Sequence, residues 1–111
     1  MTDDLIDKAY EAIETAKASG KLRKGTNEVT KSIEKQEAKL VIAAKDVTPP
    51  EITMHLPLLC KEKGIPFAEV PSKEELGAAA GIQKPTAAVA IVQEGEAKKI
   101  IKEIAESGNK E

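Results

Sequence analysis

Three side chains in this sequence, Asn27, Glu28 and Lys31, are of types and at a spacing that can recognise another molecule. They belong to Gly25–Lys35 (GTNEVTKSIEK), a polar stretch opening an amphipathic helix, where offsets of three and four put side chains on one face. A purely structural reading exists: Asn27 caps, Glu28 meets the positive helix end, and Lys31 pairs with Glu28. The same trio also makes a reader of base edges. Asn carries a donor and an acceptor on one amide, Lys donates to guanine O6 and N7, and a carboxylate accepts from amino groups. Because a carboxylate repels phosphate, Glu28 has a binding role only toward base donors. The backbone amides of Gly25–Asn27, with Lys24 beside them, would hold phosphate at the helix start. Both readings stand on the residues alone.

Catalytic chemistry finds little support. His55 and Cys60 are the single histidine and the single cysteine. An offset of five turns them roughly 140° apart on a regular helix, which prevents a dyad. No Cys/His cluster has zinc spacing, no Asp-rich loop suggests calcium, and no glycine pattern matches a phosphate or dinucleotide loop. Gly77–Gly81 (GAAAG) lacks the lysine and hydroxyl of a phosphate loop. Asp46 follows a strand, where α/β enzymes place acids, yet has no evident partner and reads as a turn residue. No metal, no cofactor and no enzyme activity are expected. A second binding candidate is the loop Ile82–Ala87, whose aliphatic residue, lysine and proline could cover an unstacked base. Alternatively, Ile82 simply plugs the core.

Composition narrows the partner. The 111 residues carry a net charge of −2, but residues 21–45 hold seven Lys/Arg against three acids. A Debye length of about 8 Å lets such a local patch hold a polyanion on an acidic protein, although lysines also merely solvate exposed faces. Tyr10 and Phe67 are the only aromatics, so stacking of single-stranded bases on rings is excluded. Any RNA would be read through folded shape and base edges. No apolar run approaches the ~18–20 residues of a membrane span, and the acids Asp3, Asp4 and Asp7 stand where a signal peptide needs basic residues. A lone cysteine excludes an intrachain disulfide and suits a reducing cytoplasm.

The elements that must position these residues follow from periodicity. Leu5, Ala9, Ile13 and Ala16 recur at helical spacing over about Asp4–Ala18, with Asp3 or Asp4 as cap and Ser19-Gly20 as stop. Lys21–Lys24 is a brief strand or an extended connector. Thr26 or Asn27 caps the second helix, which runs to about Gln36 with Val29, Ile33 and Gln36 or Glu37 inward. Lys39–Ala44 (KLVIAA) is a strand buried on both faces. Thr48-Pro49-Pro50 opens a third helix with Ile52, Leu56, Leu59 and Cys60 inward, closed by Gly64; Pro57 kinks or splits it. Phe67–Val70 is a strand, and Ser72–Glu75 a capping box opening a short helix that ends before Gly81. Ala87–Val92 is the last strand. Glu94–Ser107 is the last helix, with Ala97, Ile100, Ile101 and Ile104 inward, and Gly108–Glu111 a frayed tail. Strands alternating with helices predict an α/β fold: one domain over 1–111, a three-layer α/β/α sandwich with a mixed sheet of about four strands and five helices.

GTNEVTKSIEK, LVIAAKDV, HLPLLCKEKGIPF, SKEELGAAAG and the IQKP loop, in this order and spacing, resemble the L-seven-Ae family of kink-turn RNA-binding ribosomal proteins, in its archaeal form. The resemblance spans about Leu5 to Ala105. It implies the same sandwich and a function: binding of kink-turns, helix–bulge–helix RNA with tandem sheared G·A pairs. It also implies places in the large ribosomal subunit, in box C/D and H/ACA guide ribonucleoproteins, and in ribonuclease P. By motif, the triad that reads the G·A pairs becomes Asn27, Glu28 and Lys31, beside Lys24 and with backbone contacts from Gly25 and Thr26. Lys73 falls on a backbone- and bulge-contacting position. Ile82, Lys84, Pro85 and Ala87 pack beside flipped bulge nucleotides, and Ile52 walls the same pocket. Thr26 stands where alanine is common, Thr48 where some relatives carry a carboxylate, and Lys84 where arginine also occurs.

The expected partners are structured RNA (kink-turns in rRNA and guide RNA) and other ribonucleoprotein proteins docking on exposed helices. The expected setting is cytoplasmic, without membrane contact, for a chain monomeric when free. The alternative is a protein-interaction scaffold of a larger assembly with only non-specific RNA contact. An RNA-recognition domain serving a methyltransferase is disfavoured, since no catalytic domain is present.

Overall fold

A computed structural model describes residues 3–46 and 51–108. The elements in order are α1 (Asp3–Ser19), β1 (Lys21–Lys24), α2 (Thr26–Glu34), β2 (Leu40–Ala44), α3 (Glu51–Lys63), β3 (Phe67–Val70), α4 (Lys73–Ala79) and β4 (Ala88–Gln93). A 3-10 turn (Gly95–Ala97) then leads into α5 (Lys98–Gly108). The four strands form one mixed sheet in the order β1-β4-β2-β3. β4 runs antiparallel to both β1 and β2, and β2 pairs with β3 in parallel. This is the expected sandwich.

Side-chain alternation along the central strands builds its two cores. Leu40, Ile42, Ala44, Val89 and Ile91 face α1, α4 and α5, where Ile13, Leu76 and Ile104 join them. Val41, Ala43, Ala88 and Ala90 face the opposite layer, against Val29 and Ile33 of α2 and Leu56 and Cys60 of α3. Every residue of β2 is buried, as its unbroken apolar run requires. Burial pushes the Cys60 thiol up to about 12, so it packs as a small hydrophobe and is unreactive at neutral pH.

Several local readings left open are settled, and others are corrected. Lys21–Lys24 is a true strand, paired along β4. α2 closes at Glu34, because Gln36 takes a positive φ of 58°; Gln36 and Glu37 are therefore exposed rather than inward. Pro57 lies inside one helix spanning Glu51–Lys63 and does not split it. Ile100 and Leu59 face inward as expected, half-buried against the two cores. The last helix begins with a 3-10 turn and extends through Gly108. Thr48, Pro49, Pro50, Asn109–Glu111, and the side chains of Leu5 and Ile52 lie outside the described residues.

Ser72 caps α4 by accepting from Glu75 N–H at 3.2 Å, the first half of the expected capping box. No return bond from Glu75 is found among the described residues. Its carboxylate instead lies close enough to the Tyr10 phenol to act on it. Burial first, then this charge, raises the Tyr10 pKa to about 12. Neutral Tyr10 thus adds stability that is complete below about pH 10, the unfolded value, and is lost as pH rises toward about 12. As Tyr10 is the single tyrosine, its phenolate absorbance should titrate near 12 in native protein and near 10 in denaturant. A native midpoint near 10 would remove this contact between α1 and α4.

Candidate nucleic-acid interface

The start of α2 is set by backbone rather than by a side-chain cap. Gly25 is the N-cap, with φ 94° and ψ 147°, a conformation that a side chain would strain. Neither Thr26 nor Asn27 caps, contrary to the sequence reading; both lie inside the first turn, and no side-chain hydrogen bond caps the helix. The Gly25 N–H is spent on Ala88 O at 3.0 Å, so it is not available to a phosphate. Val29 N–H, bonded to Gly25 O at 2.9 Å, begins the helical ladder. The amides of Thr26, Asn27 and Glu28 stand ahead of that ladder, at the positive end of the helix.

Released from capping, the Asn27 amide is exposed. Lys31 Nζ and Glu28 Oε1 stand 4.0 Å apart, with the two side chains 67% and 55% exposed. Such a pair is loose and solvent-screened, so neither group is consumed by the fold. Buried Val29 and Ile33 on the opposite side fix the helix rotation that turns this trio outward. Thr30 adds a tie to α3: its Oγ1 lies 2.8 Å from Thr26 O and 2.9 Å from His55 Nε2. One hydroxyl proton serves one acceptor, so donation to Thr26 O makes His55 Nε2 the donor of the second bond. His55 is thereby an exposed strut between helices, while Cys60 is buried on another side of α3.

The residues leading into α2 meet the second candidate loop, although Asn27, Glu28 and Lys31 do not line the space between them. An open groove of about 610 Å³ has Lys24 and Gly25 on one side and Gly81 to Thr86 on the other. That size falls within the ~300–1,000 Å³ typical of small-molecule sites. The residues lining it are two lysines, glycines, Ile82, Gln83, Pro85 and Thr86, with no carboxylate. Ile82 combines both earlier readings, since it lines the groove and packs against the α1-side core. Ala87 packs against that core and does not line the groove.

The loop is held by α4. Thr86 N–H donates to Lys73 O at 3.1 Å, and Lys73 N–H donates to the Asp46 carboxylate at 2.8 Å. Asp46 is therefore an anchor for the α4 N-terminus, and Lys73, half-buried, does not line the groove. Gly77 lets the loop close down, because a Cβ there would run into the Lys84 carbonyl. Sequence reasoning named the loop as a candidate but did not single out Gln83 or Thr86 within it, nor Gly77 or Gly81 as the residues that shape the groove. Gln83 stands within the IQKP motif; the glycines gave no local signal, since what they accommodate is remote in the chain.

Fold and groove together describe a small α/β/α protein with a candidate site, a cation-lined cleft beside an exposed polar helix start. Among the described residues no group of His, Cys, Asp and Glu could hold a metal, and no helix is long and apolar enough to cross a membrane. Residues 7–101 match the ribosomal protein L7Ae/L30e/S12e/Gadd45 family, and the chain belongs to it. The family is non-enzymatic. Among solved structures, the Giardia lamblia 15.5kD RNA binding protein superposes with a TM-score of 0.92 at 29% identity. That match covers 99% of this chain and 92% of the other.

Proposed function

We propose that this protein is an RNA-binding ribonucleoprotein component that selects and clamps the bent conformer of kink-turn RNA. The observation that carries the reading is one groove without a carboxylate, shared by Lys24 and Gly25 at the entry to α2 and by the Gly81–Thr86 loop, with the exposed Asn27, Glu28 and Lys31 in the first turns beyond that entry. Family membership and likeness to an RNA-binding protein support it. Asn27, Glu28 and Lys31 read the edges of the sheared G·A pairs, where the Glu28 carboxylate meets amino donors. The amides of Thr26 and Asn27 and the Lys24 ammonium hold the adjoining phosphates. Ile82, Lys84 and Pro85 cover the bulge nucleotides. Lys73 and Ala87 act by holding that loop, and Ile52 belongs to the same site through its place on α3.

A kink-turn crowds phosphates at its bend, so a small basic patch on an acidic chain suffices. Trapping then follows from differential affinity for bent over extended RNA. We place the chain, as one RNA-binding domain and a monomer when free, in the cytoplasmic large ribosomal subunit. It also serves in guide ribonucleoproteins and ribonuclease P, with partner proteins on its exposed helices. A gel-shift titration with a kink-turn and with the same RNA carrying broken G·A pairs tests the reading. Preference for the intact motif is expected; equal affinity for both would overturn it.

A further inference from the structure

Lys17 has no part in the interface above, yet the fold brings its side chain against Gly81, one of the residues that line the groove. It sits in the last turn of α1, far in sequence from either groove wall. At Gly81, which lines the groove, a Cβ would stand 2.8 Å from Lys17 Cδ and 3.5 Å from Lys17 Nζ. Gly81 holds a φ of 83°, so glycine is required by its backbone and also leaves space for the lysine stem to cross. The methylenes lie on the glycine while the ammonium stays wet. Lys17 makes no ion pair among the described residues; on the same helix, Lys8 does, to Glu103 at 3.3 Å.

The neighbouring charges point the same way. Leu22 packs into the α1-side core, and alternation along β1 places Lys24 on that same face of the strand. Lys24 then lines the groove with Gly81. Lys17, Lys24 and Lys84 thus come from three separate elements to the rim of one cleft whose lining holds no acid. Mutual repulsion among the three is tolerated in water and relieved by an anion.

Resting on the reading of this cleft as an RNA site, we infer that Lys17 binds an RNA phosphate, extending the footprint from α2 and the loop onto the end of α1. The ligand is a backbone phosphodiester, so the contact adds affinity without sequence preference.

The test measures affinities of wild type, Lys17→Met, Lys17→Arg and Lys8→Met against a kink-turn and an uninterrupted duplex over a salt series. Lys17→Met keeps the stem on Gly81 and should leave the melting temperature unchanged. It should weaken kink-turn binding roughly 5- to 10-fold at about 0.1 M salt and lower the slope of log K against log salt by about 1. Lys17→Arg should restore both, and Lys8→Met should change neither. Wild-type slope and affinity in Lys17→Met would overturn the inference, as would a loss that Lys17→Arg fails to restore. If wild type binds duplex as tightly as kink-turn, the kink-turn reading falls while the Lys17 comparison still decides on either RNA. Binding to neither RNA overturns both.

Discussion

Glu28→Ala is expected to weaken kink-turn binding by about 5- to 150-fold, the 1–3 kcal/mol of one base-edge contact, with little change in melting temperature. The side chain is 55% exposed and its approach to Lys31 is loose, so the folded state loses almost nothing. A purely electrostatic patch requires the opposite, because removing an acid makes the surface more positive and should tighten binding. Lys35→Ala is the natural comparison: an exposed lysine in the turn that ends α2, whose removal costs a charge but no reader. The ordering of the two variants decides. Glu28→Ala should leave the salt slope near the wild-type value, whereas loss of a phosphate contact lowers it. Tighter binding by Glu28→Ala would remove base reading from this helix.

Gly77→Val should damage both stability and binding. The new side chain would run into the Lys84 carbonyl, so either α4 or the loop must shift, and overpacking of this kind costs about 1–3 kcal/mol. The loop is also tied to α4 by the Thr86 to Lys73 hydrogen bond, so its displacement opens one wall of the groove. A lower melting temperature and at least a tenfold loss of affinity are the expected results. Ala78→Val, one residue along the same helix but exposed, supplies the control for the helix propensity of valine. Wild-type affinity in Gly77→Val would mean that the loop position is immaterial to RNA.

Much of this was legible in the chain because periodicity reports burial directly. The KLVIAA run has one economical solution, a strand covered on both faces, and Val29 with Ile33 could only turn α2 one way. The candidate residues near α2 stood out as chemistry, since a carboxylate among lysines invites an explanation. What sequence could not convey was which backbone groups were already occupied. Asn27 is a better capping residue than Gly25 by type and Thr26 about its equal, yet Gly25 caps, with its N–H drawn to Ala88 O and a φ that suits no other residue well. Asp46 looked like a turn residue because its partner, Lys73 N–H, lies 27 positions away. Lys17 and Gly81 are 64 positions apart, and only the packing of α1 beside the loop joins them. Half of the capping box failed for a tertiary reason, since the Glu75 carboxylate is placed near Tyr10.

The grip on β4 has a further consequence. Its first residue and the one before it are held from both sides, by Gly25 N–H to Ala88 O and by Ala44 N–H to Ala87 O at 2.9 Å. The start of α2 and the end of the loop are thus bolted to neighbouring rungs of one ladder, leaving little slack for adjustment on contact. On the proposed function, the entropic burden of forming the complex then falls on the nucleic acid. Apparent affinity should scale with the fraction of RNA already bent before encounter, and level off once that fraction approaches unity. Metal ions that prefold the RNA would tighten the complex without touching the protein, and the protein would behave as a gauge of RNA shape.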